Sequence, residues 1–349
     1  MSETAPAGAI TAPAAGRRVT PTGRLVLPAD ADRERWLTAR RSGIGSSDIA
    51  AVLGISRFGN ALSVYHDKTG GLPLESEDSE PALWGRIDEE GIAREWARRN
   101  RSVVRRVGLV ANVERPWQMC TLDRICRECP LTDGREKCAV EIKCRDKMKA
   151  GQFRKGVADD VLVQTLWQAD VCGFDHIHAA VRLGGNDYRQ FVVRVADHTD
   201  LIADLREAGA RAWQQIAERR PPVLAADADP DVLLDLYERL HPDRAGAVDI
   251  TRDIYTQDAI AEYLDAHNDV VEAERRKKAA KARILAGLGG CEAATVLDRT
   301  YVSLDERSKQ WTDVARLAER WPEAYADCVE DRTYRQISIP RSVREEHNA

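Results

Sequence analysis

The sequence predicts an α/β or α+β core over residues 31–220, followed by a mainly helical region over 221–349. Three observations carry that reading. Helical patterns come first, then three strand-like segments, one helix, two more strands and a closing helix. Pro221–Pro222 and the polar stretch AADADPD interrupt the chain after that last helix. Beyond it, residues 251–287 read as one long charged helix or two shorter ones, with Tyr263, Val270 and Val271 as their few large apolar anchors.

The elements follow in order. Residues 1–30 begin MSETAPAGAITAPAAGRRVTPTG, an Ala/Pro/Thr-rich arm expected to be disordered. It has neither the basic start nor the apolar stretch of a signal peptide. ADADRERWLTARRSG offers an Asp-rich start and a short helix ending near Gly43. In SSDIAAVLG, Ser46 or Ser47 can cap a helix whose apolar spacing comes from Ile49, Val52 and Leu53. ALSVYHDKTGG predicts a helix that stops at Gly70–Gly71, and WGRIDEEGIAREWARRN another. RSVVRRVGLVANV, WQMCTLDRI and KCAVEIKC suit three antiparallel strands, the last two joined by a loop containing CRECPLTDGRE. Helix returns at DDVLVQTLWQADVCGF, strands at IHAAVRL and QFVVRVAD, and helix from about 198 to 219. In the tail, AATVLDRTYVSLDE looks like a hairpin and WTDVARLAERW a short helix. No catalytic constellation stands out there, so packing, oligomerisation or DNA contact is its expected role.

The 349 residues are 43% apolar and 31% charged, the balance of a globular protein with a substantial core. No apolar run reaches the roughly 20 residues of a membrane-spanning helix, and a cytoplasmic protein is expected. A net charge of −5 argues against a histone-like nonspecific binder. It leaves room for a local basic groove that holds a phosphate backbone. Arg94, Arg98, Arg99, Arg101, Arg105 and Arg106 cluster in one stretch, and Arg145, Lys147, Lys149, Arg154 and Lys155 in another. Solvated surface is the bland reading of each. Eight cysteines in a reducing compartment are not a disulfide framework. Cys126-x2-Cys129 followed by Cys138 resembles part of a structural zinc or iron–sulfur site; reduced thiols in a hairpin are the alternative.

The chemical candidates gather around CAVEIKC. In a strand, Glu141 and Lys143 share one face, about 6.6–6.8 Å apart, with Val140, Ile142 and Cys144 on the other. Alone, E-x-K is common and reads as a surface ion pair. Asp123, near the end of the preceding strand, lies across from that acidic face if the register allows. Glu89 shares a helical face with Ile92, Ala93 and Trp96, where an unpaired carboxylate is costly. Glu90 pairs at i+4 with Arg94 and reads as structural. Glu89, Asp123 and Glu141 together would offer the oxygen ligands that favour Mg²⁺ or Mn²⁺. On the helix after the strands, Leu162, Leu166, Ala169 and Gly173 form one face, and Gln164 and Gln168 fall off it. An amide such as Gln164 beside a metal site can hold water or a phosphate oxygen without adding charge.

In this order the pieces resemble the YqaJ-like viral recombinases, which include the lambda-type exonucleases of the PD-(D/E)xK nuclease superfamily. The matching run is Trp36, Arg40 and Ser47 with Asp48 to Gly54, then Gly85 with Glu89, Asp123, Glu141-Ile142-Lys143, and Gln164 nine residues before Gly173. The resemblance covers about residues 31–220. It implies a restriction-endonuclease-like core, a small mixed sheet flanked by helices. By resemblance, Glu89, Asp123, Glu141 and the Ile142 carbonyl are metal ligands, and Lys143 and Gln164 surround the nucleophilic water. Arg40 and Ser47 match positions that grip a DNA 5′-phosphate; a guanidinium and a hydroxyl at a helix start independently suit that task. The chain departs from the family text at Thr121-Leu122-Asp123-Arg124, where S-P-D-G is usual, at Glu90, where proline is common, and at Leu166, where Q-x-Q would place glutamine. The loop CRECPLTDGREKC is longer than the hairpin needs.

The expected function is a Mg²⁺- or Mn²⁺-dependent 5′-to-3′ exonuclease on duplex DNA ends. It would serve phage-type recombination with a single-strand-annealing partner, with a homo-oligomer and no membrane association expected. The alternatives are an endonuclease, a Cas4-like end-processing nuclease with a cysteine-bound metal or iron–sulfur cluster, and an inactive DNA-binding protein.

Overall fold

A computed structural model of the chain describes residues 16–74, 80–129, 131–132, 138–223, 228–330 and 334–348. The first 15 residues of the predicted arm lie outside these. The chain forms two units, Met1–Arg244 and Ala245–Ala349.

The end of the predicted arm is a strand, β1 (Gly23–Pro28), with Gly23 and Leu27 turned into the interior. Three short helices follow: α1 (Arg33–Arg40), α2 (Asp48–Val52) and α3 (Ala61–Lys68). Asp32 caps α1 by accepting from the Arg35 N–H at 2.8 Å, and Asn60 and Ser63 form a reciprocal capping box on α3. α4 (Glu80–Asn100) buries Ile92, Ala93 and Trp96, the stripe the sequence spacing indicated.

The two strands predicted next each break in half, and the halves join different sheets. RSVVRRVGLVANV becomes β2 (Val104–Arg105) and β3 (Gly108–Asn112); WQMCTLDRI becomes β4 (Met119–Leu122) and β5 (Arg124–Cys126). At the first break Gly108 has φ +100, and a Cβ there would lie 2.2 Å from the Leu27 carbonyl oxygen, so close approach to β1 requires glycine. At the second, Asp123 steps out of the ladder. β6 (Cys138–Arg145), α5 (Asp159–Cys172) and β7 (His176–Leu183) then form a βαβ crossover, followed by β8 (Asp187–Arg194) and α6 (Thr199–Ala217). One sheet has the order β1-β3-β4 and the other β2-β5-β6-β7-β8. Within the larger sheet β6 and β7 are parallel and the remaining neighbours antiparallel, so the sheet is mixed, as the resemblance implies, and the expected antiparallel pairing of the three segments holds in β2, β5 and β6.

Helices cover both faces of the larger sheet. Ala139 and Ile177 pack on one side with Leu166, Trp167, Ile202 and Leu205 of α5 and α6. Val140, Ile142 and Ala180 pack on the other with Ile92, Ala93 and Trp96 of α4. α5 is buried around most of its circumference, Gln168 included, and not along a single apolar face. Its C-terminus closes on Gly173 at φ +70, whose N–H donates to the Ala169 carbonyl. The core unit extends past the expected boundary at residue 220. α7 (Pro230–Leu240) packs Leu236 against Leu62 and Leu72, because its apolar side chains repeat at helical spacing.

The second unit contains α8 (Ile254–Leu288), the hairpin β9 (Ala293–Val296) and β10 (Arg299–Ser303), and short helices α9 (Val314–Arg320), α10 (Pro322–Cys328) and α11 (Arg341–His347). Leu297 and Asp298 turn the hairpin at φ +47 and +61. His347 of α11 meets Asp265 of α8 at 2.8 Å. Among the described residues no helix is long and apolar enough to cross a membrane.

Candidate active site

β6 supplies the centre of the site. Its alternation turns Glu141 and Lys143 toward α5 and Val140 and Ile142 toward α4. Glu141 is 2% exposed, and every oxygen of its carboxylate is engaged. Oε1 lies 2.6 Å from the Lys143 Nζ and accepts from the Gln164 Nε2 at 2.7 Å; Oε2 accepts from the Gln168 Nε2 at 2.7 Å. Lys143 in turn donates to the Gln164 Oε1 at 2.8 Å. Thus Glu141, Lys143 and Gln164 close a three-membered ring of hydrogen bonds. One turn along α5, Gln168 also donates to the Thr121 carbonyl at 3.1 Å, fastening β4 to β6. Its own side-chain oxygen is buried and has no partner.

Asp123 occupies the break between β4 and β5, and its Oδ2 accepts from the Ile142 N–H at 2.7 Å. Burial and the Glu141 charge push the Asp123 carboxyl well above the ordinary carboxylate range, Glu89 adding to the effect and Lys143 and the Ile142 N–H opposing it. Such a pair of inward-facing carboxylates, next to an amide oxygen with no partner, fits a bound cation. The N–H and C=O of a strand residue point to the same edge. The Ile142 carbonyl therefore faces the Asp123 side.

Glu89 and Glu90 project from α4 toward β5, where Arg124 binds both: its Nη1 contacts Glu89 and its Nη2 reaches Glu90 at 2.7 Å. Arg124 is 3% exposed and also donates to the Asp123 carbonyl at 2.6 Å. The predicted Glu90–Arg94 pair is present at 2.9 Å. Glu89 is thus drawn onto a guanidinium, and the three carboxylates are not gathered as closely as the sulfur and nitrogen cluster described below. Trp36, Arg86, Glu89, Arg106, Asp123 and Arg124 line an open groove at this edge. Its arginines provide the positive lining that a phosphate backbone needs.

Arg40 and Ser47 are brought together, with Arg40 Nη2 donating to Ser47 Oγ at 2.8 Å and stacking its guanidinium 4.8 Å from the Trp36 ring centroid. Asp48, part of the matching run but given no role there, belongs to the same cluster. It accepts from Arg40 at 3.1 Å, from the Gly45 N–H at 2.8 Å and from the buried Lys68 at 2.7 Å. Burial alone would raise the Asp48 carboxyl; Lys68 and Arg40 override it and hold it at about 2.

The cysteine reading changes in membership. All eight cysteines are free thiols. Cys129 and Cys138 converge with His176 and His178, and the four ligand atoms lie within 4.8 Å of one another; Cys126 touches Cys138 but stands outside that group. Cys126 instead contacts Ser102 Oγ at 2.9 Å and the Glu128 carbonyl at 3.0 Å. Among the described residues this is the one group of three or more His, Cys, Asp or Glu side chains gathered so tightly. The overlooked signal was H-I-H, two histidines on one face of a strand.

The sequence of residues 35–175 matches the family model of the YqaJ-like viral recombinase domain. That stretch is similar to the YqaJ-like recombinase domains. It contains Arg40, Ser47, Glu89, Asp123, Glu141, Lys143 and Gln164, and it ends one residue before His176. Over 329 residues the chain is 22% identical to the uncharacterized protein YqaJ of Bacillus subtilis (strain 168), covering 90% of this chain and 96% of that one. Among solved structures it is similar to the alkaline exonuclease LHK-Exo from Laribacter hongkongensis, at 15% identity and a TM-score of 0.44. The same enzyme in complex with dAMP matches at 14% identity and a TM-score of 0.45; both alignments cover 54% of this chain and 94% of the other.

Proposed function

We propose that the YqaJ-like domain is a divalent-cation-dependent deoxyribonuclease that digests linear duplex DNA from 5′ ends. The observation that carries this reading is the closed network of Glu141, Lys143 and Gln164 beside Asp123. A structural ion pair needs no buried carboxylate fed by three donors and facing a second carboxylate. Glu141, Asp123 and the Ile142 carbonyl hold Mg²⁺ or Mn²⁺ in this reading, and Glu89 joins them when it leaves Arg124. When bound, the ion polarises the scissile phosphate and lowers the pKa of a nearby water.

The remaining work falls to side chains. Gln164, fixed by Glu141 and Lys143, orients the attacking water, and the Lys143 ammonium offsets negative charge as it builds on the phosphate. Gln168 holds Glu141 in the required orientation. Arg106 and Arg86 line the path of the phosphate backbone, while Arg40 and Ser47 receive the terminal 5′-phosphate. Digestion in this direction leaves a 3′ single strand, the substrate of an annealing protein, which supports a role in phage-type recombination.

The test is product formation from circular duplex DNA and from linear duplexes labelled at either end, with and without a 5′-phosphate. Mg²⁺-dependent release of nucleotides from 5′-phosphorylated linear ends is expected. Equal cleavage of circular DNA would instead identify an endonuclease, and no hydrolysis under any divalent cation would leave a DNA-binding protein.

A further inference from the structure

We propose that Cys129, Cys138, His176 and His178 form a structural zinc site that fastens the long β5–β6 connection to β7. The proposal is independent of the nuclease reading, since these residues lie on the α4 side of the sheet.

The ligands come from three places in the chain. Cys129 follows β5, Cys138 begins β6, and His176 and His178 stand two apart on β7, on the face that also carries Ala180. β6 and β7 run parallel with Ala139 opposite Ile177, so Cys138 and His176 are side by side on the same face. All four side chains are buried, the most exposed at 4%. Cys129 Sγ lies 3.1 Å from His176 Nε2 and 3.4 Å from His178 Nε2. Tetrahedral zinc with Zn–S of about 2.3 Å and Zn–N of about 2.0–2.1 Å places sulfur and nitrogen ligands about 3.5 Å apart. The two sulfur–nitrogen distances are therefore already near the edges of that tetrahedron.

The donor chemistry selects the ion. Two thiolates and two neutral imidazoles around Zn²⁺ make a site of zero net charge, which can be buried without an unpaired charge. Binding replaces two thiol protons, which leave to solvent. The Leu131 N–H points at Cys129 Sγ at 3.4 Å, a donor suited to a thiolate. Sulfur ligands disfavour Mg²⁺ and Ca²⁺. A four-cysteine iron–sulfur cluster lacks its ligands here, because only two thiols converge with the histidines. Cys126, the register partner of Cys138, touches it, but its sulfur is also engaged by Ser102 and the Glu128 carbonyl and lies outside the four-atom group. The consequence for the fold is a covalent-strength tie across the extra-long CRECPLTDGREKC connection.

Elemental analysis of the purified full-length chain, after dialysis into Mg²⁺ buffer without added zinc, tests this directly. About one zinc per chain is expected. Chain prepared with Co²⁺ should show the visible absorption of a tetrahedral thiolate site. A chelator should lower the melting temperature, and Zn²⁺ should restore it. Cys129→Ser and His178→Ala should reduce the zinc content to near none, while Cys126→Ser and Lys143→Ala keep it. Wild-type chain that carries no zinc and takes up no Co²⁺ overturns the proposal, without depending on any variant's folding. So does iron with inorganic sulfide in the purified chain, or zinc lost in Cys126→Ser and kept in His178→Ala.

Discussion

Gln168 holds the second oxygen of Glu141 at 2.7 Å from one turn beyond Gln164, so the buried carboxylate is fixed at both oxygens by the same helix. Gln168 is 1% exposed and reaches nothing in solvent, which makes it a positioning residue. Gln168→Leu should keep the helix and lower the rate of DNA hydrolysis about 10–100-fold, the usual effect of removing a partner that orients a metal ligand. The rate measured against Mg²⁺ concentration checks this; an unchanged curve would remove Gln168 from the site.

Lys143→Ala should cut hydrolysis about 10²–10³-fold or more, as loss of a donor aimed at developing charge does. The variant should still bind duplex DNA and unfold cooperatively, since Gln164 and Gln168 continue to donate to Glu141. Full activity in this variant would end the nuclease assignment at this centre.

Arg124 pairs with Glu89 beside Asp123 and competes with any cation for that carboxylate. Arg124→Met preserves the apolar stem and frees Glu89, so half-maximal activity should need on the order of threefold to tenfold less Mg²⁺. That corresponds to about 0.7–1.4 kcal/mol of ion-pair competition. The same variant should be less stable to denaturant, because Arg124 is a nearly buried tie between α4 and β5. An unaltered Mg²⁺ requirement would show that the Glu89–Arg124 pair does not compete with the ion.

Arg40→Ala should erase the preference for 5′-phosphorylated over 5′-hydroxyl ends, by about 10- to 100-fold, the worth of a charge-assisted hydrogen bond. Competition between the two labelled ends in one reaction reads the preference directly. Retained preference would place the phosphate elsewhere.

Asp48 gives a pH signature. Its carboxyl is at about 2 in the folded chain against an ordinary 3.8, so the folded state binds its proton later than the unfolded state. Its stabilisation, about 2 kcal/mol, is fully present above the unfolded value and is lost as pH falls from near 4 through 2. Denaturant unfolding across that range should be flatter for Asp48→Asn than for the parent. At neutral pH the substitution should cost less than the roughly 3–5 kcal/mol of a fully unpaired buried charge, because the buried Lys68 ammonium loses the nearer of two carboxylates and keeps Asp67 at 3.4 Å. Parallel pH profiles for the two chains would refute the assignment.

Much of this site can be read from the sequence where chemistry and periodicity agree. The strand alternation around Glu141 and Lys143 and the apolar stripe under Glu89 are local, and each appears in the structure; Arg40 and Ser47, named together by the resemblance, prove to be in contact. What stayed hidden is contact between distant segments. Arg124 reads as an anomaly beside Asp123, and only the approach of α4 shows that it pairs with Glu89 and Glu90. Gln168 reads as an off-face residue because a helix buried around most of its surface has no single apolar stripe. Cys126 is nearer to Cys129 in sequence than any histidine, yet a parallel strand 47 residues beyond Cys129 supplies the partner. The breaks at Arg106–Val107 and Asp123 were invisible to strand propensity because both halves of each segment are strand-forming.

Glu141 lies three positions after Cys138, and that odd offset has a consequence. Along β6, odd steps change the side of the sheet and even steps keep it. Inserting or deleting one residue between them would put both on one side, sending either the carboxylate into the packing of Trp96 and Ile92 or the sulfur toward Gln164. A change of two would leave both on their proper sides. Parity, more than composition, therefore keeps the sulfur donors and the oxygen donors apart across a single thickness of backbone.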